Sequence, residues 1–196
     1  PHFSQELKPY IVPLRIEPER FTPEYPDPAK GKVTIVHAPS NRGVKGTKYI
    51  HSAVENLKKK YDIEYILVEN MTQNEAFKEY QKADIIVDQI LGGSYGVFSI
   101  EAMAMGKPVI TYITDEMIKT FPDELPIVSA SPLNIQEEIE KLINDGQIRH
   151  DLGVKGRKYI ETYHDCKKNA KVIAKIYEGT ANKTKGKDAF EEVKEL

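Results

Sequence analysis

The chain has 196 residues, 40% hydrophobic and 30% charged, with a formal net charge of -2 at pH 7. That balance suits a soluble globular protein with one well-buried α/β core, and it gives no reason to expect nucleic acid as a partner. The single cysteine, Cys166, excludes an internal disulfide and a zinc cluster, no apolar run is long enough to span a membrane and no signal peptide is visible, so a cytoplasmic protein is expected.

The chain opens on Pro1-His2-Phe3 without an initiator methionine, and it is expected to be part of something longer. Residues 1–30 are rich in proline and read as an extended linker with one short strand around Tyr10–Val12. From Val33 the pattern becomes regular. Val33-Thr34-Ile35-Val36 is a β-branched strand ending in His37-Ala38-Pro39-Ser40. After a glycine-containing loop, Ile50, Val54, Leu57 and Tyr61 recur at helical spacing in a helix that starts near Thr47. Tyr65-Ile66-Leu67-Val68 is the next strand, and Thr72-Gln73-Asn74-Glu75 is a capping box opening a helix to Lys82. Ile85-Ile86-Val87 is the third strand, Val97–Met105 a helix closed by Gly106, and Pro108–Tyr112 the fourth strand. Ile127-Val128 gives a fifth strand, followed by helices over Ile135–Asn144, Gln147–Thr162 and Cys166–Tyr177. Residues 181–196 read as a flexible charged tail.

Strands alternating with helices across short connections predict an α/β fold with a Rossmann-like parallel sheet, covered by helices on both faces, over residues 31–180. Ligands on such sheets bind beyond the carboxyl ends of the strands. That rule selects three loops: Ala38–Gly46, Glu69–Thr72 and Gln89–Gly96.

The third helix is apolar nearly all round, and Glu101 is its only charge. A lone carboxylate there needs a partner: the helix dipole, a structural cation, or a ligand diol such as a ribose. Just before the helix, Gly92-Gly93-Ser94-Tyr95-Gly96 lets backbone N–H groups approach a ligand, and a helix start favours negative charge. The alternative is an ordinary tight turn. The loop after the first strand carries Arg42 and Lys45 between Asn41 and Gly46, cations that suit a departing diphosphate, or simply a solvated surface. His37 ends the first strand on the ligand side, where its imidazole suits a sugar or phosphate oxygen or a structural hydrogen bond. His51, His150 and His164 have no metal-like grouping, and Asp84 and Asp88 flank the third strand without a compact acidic cluster. No metal site is therefore expected. The phosphate-loop and dinucleotide fingerprints are absent, which argues against an NAD-dependent dehydrogenase.

The segments His37-Ala38-Pro39-Ser40 with Lys45-Gly46-Thr47, Ala83–Val87 and Gly96–Val109 resemble, in this order, the C-terminal domain of retaining glycosyltransferases built from two Rossmann-like domains (the GT-B architecture, family four). The likeness runs from about Val33 to Tyr177, and the His-Ala-Pro-Ser opening resembles a bacterial surface-polysaccharide subgroup. The resemblance implies a metal-independent transferase using a nucleoside diphosphate sugar, with Glu101 on the ribose hydroxyls and Lys45 on the diphosphate. It places Ser94, Tyr95, Gly96 and Val97 around the phosphates and sugar, and Gly93, His37 and Arg42 join the candidate binding residues by their positions at the ligand-side strand ends. Two positions depart from the family pattern: its first motif glutamate falls on Gly93, and an arginine upstream of the lysine falls on Ser40, leaving Arg42 as the substitute. The resemblance also implies a missing N-terminal acceptor-binding domain, a glycan or lipid-linked acceptor, and any membrane association running through that half. A nucleotide-sugar epimerase of the same architecture and a non-catalytic nucleotide-binding domain remain open alternatives.

Overall fold

The computed structural model describes residues 12–178 and 187–196. Five strands, β1 (Val33–His37), β2 (Ile63–Leu67), β3 (Ile85–Val87), β4 (Val109–Thr111) and β5 (Ile127–Ser129), form one parallel sheet in the order β2-β1-β3-β4-β5. Parallel neighbours need crossover connections. These are supplied by α1 (Arg42–Lys45), α2 (Thr47–Leu57), α3 (Gln73–Lys82), α4 (Val97–Ala104) and α5 (Asp115–Ile118), and α6 (Ile135–Asn144) follows the last strand. Helices α7 (Gly146–Tyr163), α8 (Cys166–Tyr177) and α9 (Lys187–Lys194) follow.

Alternation along the strands divides the core in two. Val33 and Ile35 of β1, Ile85 and Val87 of β3 and Ile110 of β4 face one side, where α2 contributes Ile50, Val54 and Leu57 and α6 contributes Ile139 and Leu142. Val36, Ile86 and Val109 face the other, under Tyr80, Ile100, Met103 and Ile160. Both faces are therefore dry, which is why the inner strands read as unbroken apolar runs. The edge strand β2 starts at Ile63 rather than Tyr65, because its register pairs Ile63 with Val33.

The chain steps outward from β1 to β2 and then crosses back to β3, so the strand order reverses at the β1–β3 pair. In open α/β sheets the crevice beyond the carboxyl ends at such a reversal is where ligands bind. Close packing of α7 fixes the far end of α4, where that helix leads into β4. A Cβ added at Gly153 would clash with the Gly106 carbonyl oxygen, so only glycine lets the helix approach this near.

Two segments are more ordered than the sequence suggests. Residues 12–30 are a strap fixed to the domain: Ile16 pairs with Asp165, Glu24 N–H donates to Met105 O at 2.9 Å, and Pro18–Arg20 is a 3-10 turn. Arg157 Nη1 lies within 3.0 Å of the carbonyls of Pro18, Phe21 and Ala104. The strand expected around Tyr10–Val12 lies outside the described residues except at Val12, which is not in a strand. Within the expected flexible tail, residues 187–194 form α9 instead. Its Ala189, Phe190 and Val193 are buried, and the Phe190 ring meets Phe121, Tyr163 and His164 edge-on. The aromatic floor supplied by α7 and its neighbours outweighs the local charge.

Candidate functional site

The mouth of the sheet is built from the segments that follow β1 and β3. Asn41 caps α1 by accepting the N–H groups of Gly43 and Val44, which turns Arg42 and Lys45 toward the crevice. Arg42 forks onto Glu69, at the end of β2, through Nε at 2.8 Å and Nη2 at 2.5 Å. This pairing holds the Glu69 carboxyl below its ordinary range. Lys45 Nζ reaches Asp88 Oδ1 at 2.7 Å, and the second Asp88 oxygen accepts from Ser99 Oγ at 2.7 Å.

After β3 the chain makes the glycine loop. Gly93 has φ 79, and an added Cβ would sit 3.0 Å from Thr114 Cγ2, while its carbonyl accepts the Thr114 N–H. Gly93 is therefore conformational as well as small. The Ser94 carbonyl is held by Gln89 Nε2, and Gly96 caps α4 with no side chain over the helix start. Val97, the first residue of α4, is exposed, and the N–H groups of a helix's first turn have no partner within the helix. A helix start of this kind favours negative charge.

Glu101, one turn further along α4, has neither a hydrogen-bond nor an ion-pair partner among the described residues. It lines a cavity of 480 Å³ with Arg15 and Arg20 from the strap, Gln73 and Asn74 at the start of α3, and Cys166 at the start of α8. Burial pushes its carboxyl above the ordinary value. A half-buried, partnerless carboxylate aimed into a cavity is an unmet hydrogen-bond acceptor.

Two candidate residues turn inward. His37 is fully buried: Nδ1 donates to Val87 O at 2.8 Å, and Nε2 accepts from Thr47 Oγ1 at 2.8 Å. It shares the β1 face of Val33 and Ile35, so it ties β1, β3 and α2 together and has no ring nitrogen left for a ligand. Tyr95 is also buried, its ring 4.7 Å from Phe121 and its hydroxyl between Tyr159 and His164. Only its backbone belongs to the loop. Lys45 and Glu101 are not joined to each other. Ser99 faces Asp88, and two residues along a helix is about 200° of turn, so Glu101 points to the α3 side.

Asp88 and Ser99 join the site only through the fold, which brings Asp88 against both Lys45 and Ser99. The clue available was an acidic residue directly after a buried strand, opposite a lysine loop. Asp84, at the other end of β3, accepts from Thr34 N–H and Lys30 Nζ and is structural. Among the described residues no three His, Cys, Asp or Glu side chains are grouped to hold a metal, and no helix is long and apolar enough to cross a membrane.

No protein-family model matches the sequence, and comparison with curated protein sequences gives no match either. Solved structures do match. Sucrose-phosphate synthase from Thermosynechococcus elongatus superposes with a TM-score of 0.63 at 17% identity, over 86% of this chain and 51% of that one. The C-terminal domain of a group 1 family glycosyltransferase from Francisella tularensis gives 0.58 at 20% identity, over 77% of this chain and 99% of that domain. The Anabaena protein HepE, solved in complex with UDP, gives 0.59 at 11% identity, over 76% and 49% of the two chains. At these identities the likeness is one of fold, and the chain spans about half the length of the synthase. It has the Rossmann-like α/β fold of one half of a two-domain, GT-B type glycosyltransferase.

Proposed function

We propose that this chain is the donor-binding domain of a metal-independent, retaining glycosyltransferase that moves a sugar from a nucleoside diphosphate to an acceptor hydroxyl. The observation that carries the reading is Glu101, a half-buried carboxylate with no partner among the described residues, lining a cavity one helical turn beyond the uncapped start of α4. A ribose offers two adjacent hydroxyl donors to such a carboxylate. The α4 N–H groups and Lys45 suit the diphosphate, where charge develops as the sugar departs and fixed donors stabilise it without a metal. The backbone at Ser94, Tyr95, Gly96 and Val97 faces the same charge.

The acceptor, glycan or lipid-linked, is assigned to a second domain. Exposed apolar side chains surround the mouth: Val44, Met71, Leu91, Val97, Ile118 and Leu133, the last 97% exposed, all on segments that follow strand ends. Such a ring favours coverage by another domain, so the chain alone is expected to bind donor and not to turn over. A non-catalytic nucleotide-binding domain is the second reading. It is favoured by Gly93, which supplies no carboxylate to the sugar and whose left-handed backbone strains any side chain placed there.

Calorimetry with UDP, GDP and their sugar conjugates tests the reading. Binding should be lost in Glu101→Ala and weakened in Lys45→Ala, with circular dichroism unchanged. If no nucleoside diphosphate binds the wild-type chain, the site is rejected. Transfer activity after addition of a second domain would separate the transferase from the binding-only reading.

A further inference from the structure

Behind the mouth of the sheet sits a carboxylate that no part of the reading above uses. Asp88 is 1% exposed, and its amide N–H extends the ladder by donating to Ile110 O at 2.9 Å. One carboxylate oxygen accepts from Lys45 Nζ and the other from Ser99 Oγ, each at 2.7 Å. The Lys45 side chain is itself only 15% exposed. Asp88 thus bridges the end of α1 and the first turn of α4, the two elements assigned to the diphosphate.

We propose that Asp88 is a positioning residue that acts through Lys45. It holds the ammonium group against α4 before nucleotide binds and yields it to the phosphates on binding. The inference rests on the reading of Lys45 as a diphosphate ligand. While Lys45 is parked, the pair is neutral, and Arg42 is matched in the same way by Glu69. Paired in this way, the cations at the mouth supply less free positive charge than their number suggests. A diphosphate gains Lys45 only by leaving Asp88 buried with a single hydroxyl partner, which carries a cost. After transfer, recapture of Lys45 by Asp88 favours release of the diphosphate product.

The consequence has a sign that a purely structural aspartate does not share. Asp88→Asn keeps the shape and an oxygen for Lys45 but removes the competing charge. UDP and GDP should bind it about tenfold more tightly than wild type, with a steeper loss of affinity as salt rises. Ser99→Ala, which removes a hydrogen bond and no charge, should leave the salt dependence as in wild type. Calorimetry at low and high salt reads both. Equal or weaker binding by a folded Asp88→Asn, with the wild-type salt dependence, overturns the inference while wild-type binding still upholds the nucleotide site. Absence of nucleotide binding by wild type rejects both together. Should Asp88→Asn not fold, the wild-type crystal structure with UDP decides. Lys45 Nζ is expected on a phosphate oxygen and beyond hydrogen-bond distance of Asp88. Lys45 still on Asp88 with no phosphate contact refutes it.

Discussion

Acidification should loosen this domain through one buried histidine. His164 sits at the α7–α8 junction, 1% exposed, with Nδ1 donating to Leu14 O and Nε2 accepting from Tyr95 at 3.2 Å. Burial drives its pKa down from 6.5 to about 4. Between those values the unfolded chain carries a proton that the folded chain does not, so stability falls as pH drops from 6.5 toward 4 and is complete above 6.5. The gap corresponds to roughly 3 kcal/mol, at about 1.36 kcal/mol per pH unit. His37 is depressed by burial too and has the same sign, so the wild-type curve alone does not isolate His164. The comparison needed is urea unfolding, followed by circular dichroism, of wild type and His164→Gln at several pH values from 7 down to 4. The variant should be less stable at pH 7, because Leu14 O and Tyr95 lose a partner, but its stability should fall less with acid, so that the two curves converge. Parallel curves would refute the argument: His164 would then titrate in the folded state as it does in the unfolded one.

Three further perturbations follow from single residues. Glu101→Gln should raise the melting temperature of the ligand-free protein at neutral pH while abolishing nucleotide binding. A carboxyl whose folded pKa is raised destabilises above that value and not below the ordinary 4.5, so the advantage in a thermal melt should vanish on acidification. Arg157→Lys should cost about 2 kcal/mol or more, since an ammonium group does not reproduce the guanidinium bridge to the carbonyls of Pro18, Phe21 and Ala104; earlier proteolytic cleavage within residues 12–30 is the assay, and an unchanged cleavage rate would show that the strap is held by other contacts. Gly93→Glu should destabilise by about 1–3 kcal/mol through its φ of 79 and its contact with Thr114; a variant as stable as wild type that gains affinity for the sugar conjugate over the bare diphosphate would mean the loop relaxes freely.

Much of the sheet was legible because its signals are local. Ile85–Val87, Ile135–Asn144 and Cys166–Tyr177 carry boundaries written in apolar runs, caps and spacing, and the Thr72–Glu75 capping box forms as expected. What escaped depends on distant partners or on very short elements. Helix α1 has four residues, too few for periodicity to register, although Asn41 before it and Gly46 after it are caps. Helix α9 is mostly charged, and its three buried residues mean little without the aromatic floor they meet. The prolines of the strap suggested a linker because nothing local announces that Arg157, in the middle of a distant helix, gathers its carbonyls.

The site residues divide by a different criterion, which sequence position does not contain. His37 and Tyr95 lie where the strand-end rule puts ligands, yet their polar atoms are already used inside the protein. In retrospect His37 was readable: two-residue alternation puts it on the face of Val33 and Ile35, beneath α2. Lys45 and Arg42 are charged groups held by carboxylates, available to a ligand only through exchange. Among the described residues Glu101, an acceptor, has no partner, and the start of α4, a set of donors, has no side-chain cap. A buried polar group left without a partner costs stability, and on the proposed reading the ligand supplies the missing partners. A ligand matching both must present hydroxyl donors at one end and an anion at the other. A nucleoside diphosphate has that polarity, and its attached sugar would then lie against Gly93, where the loop supplies backbone and no carboxylate.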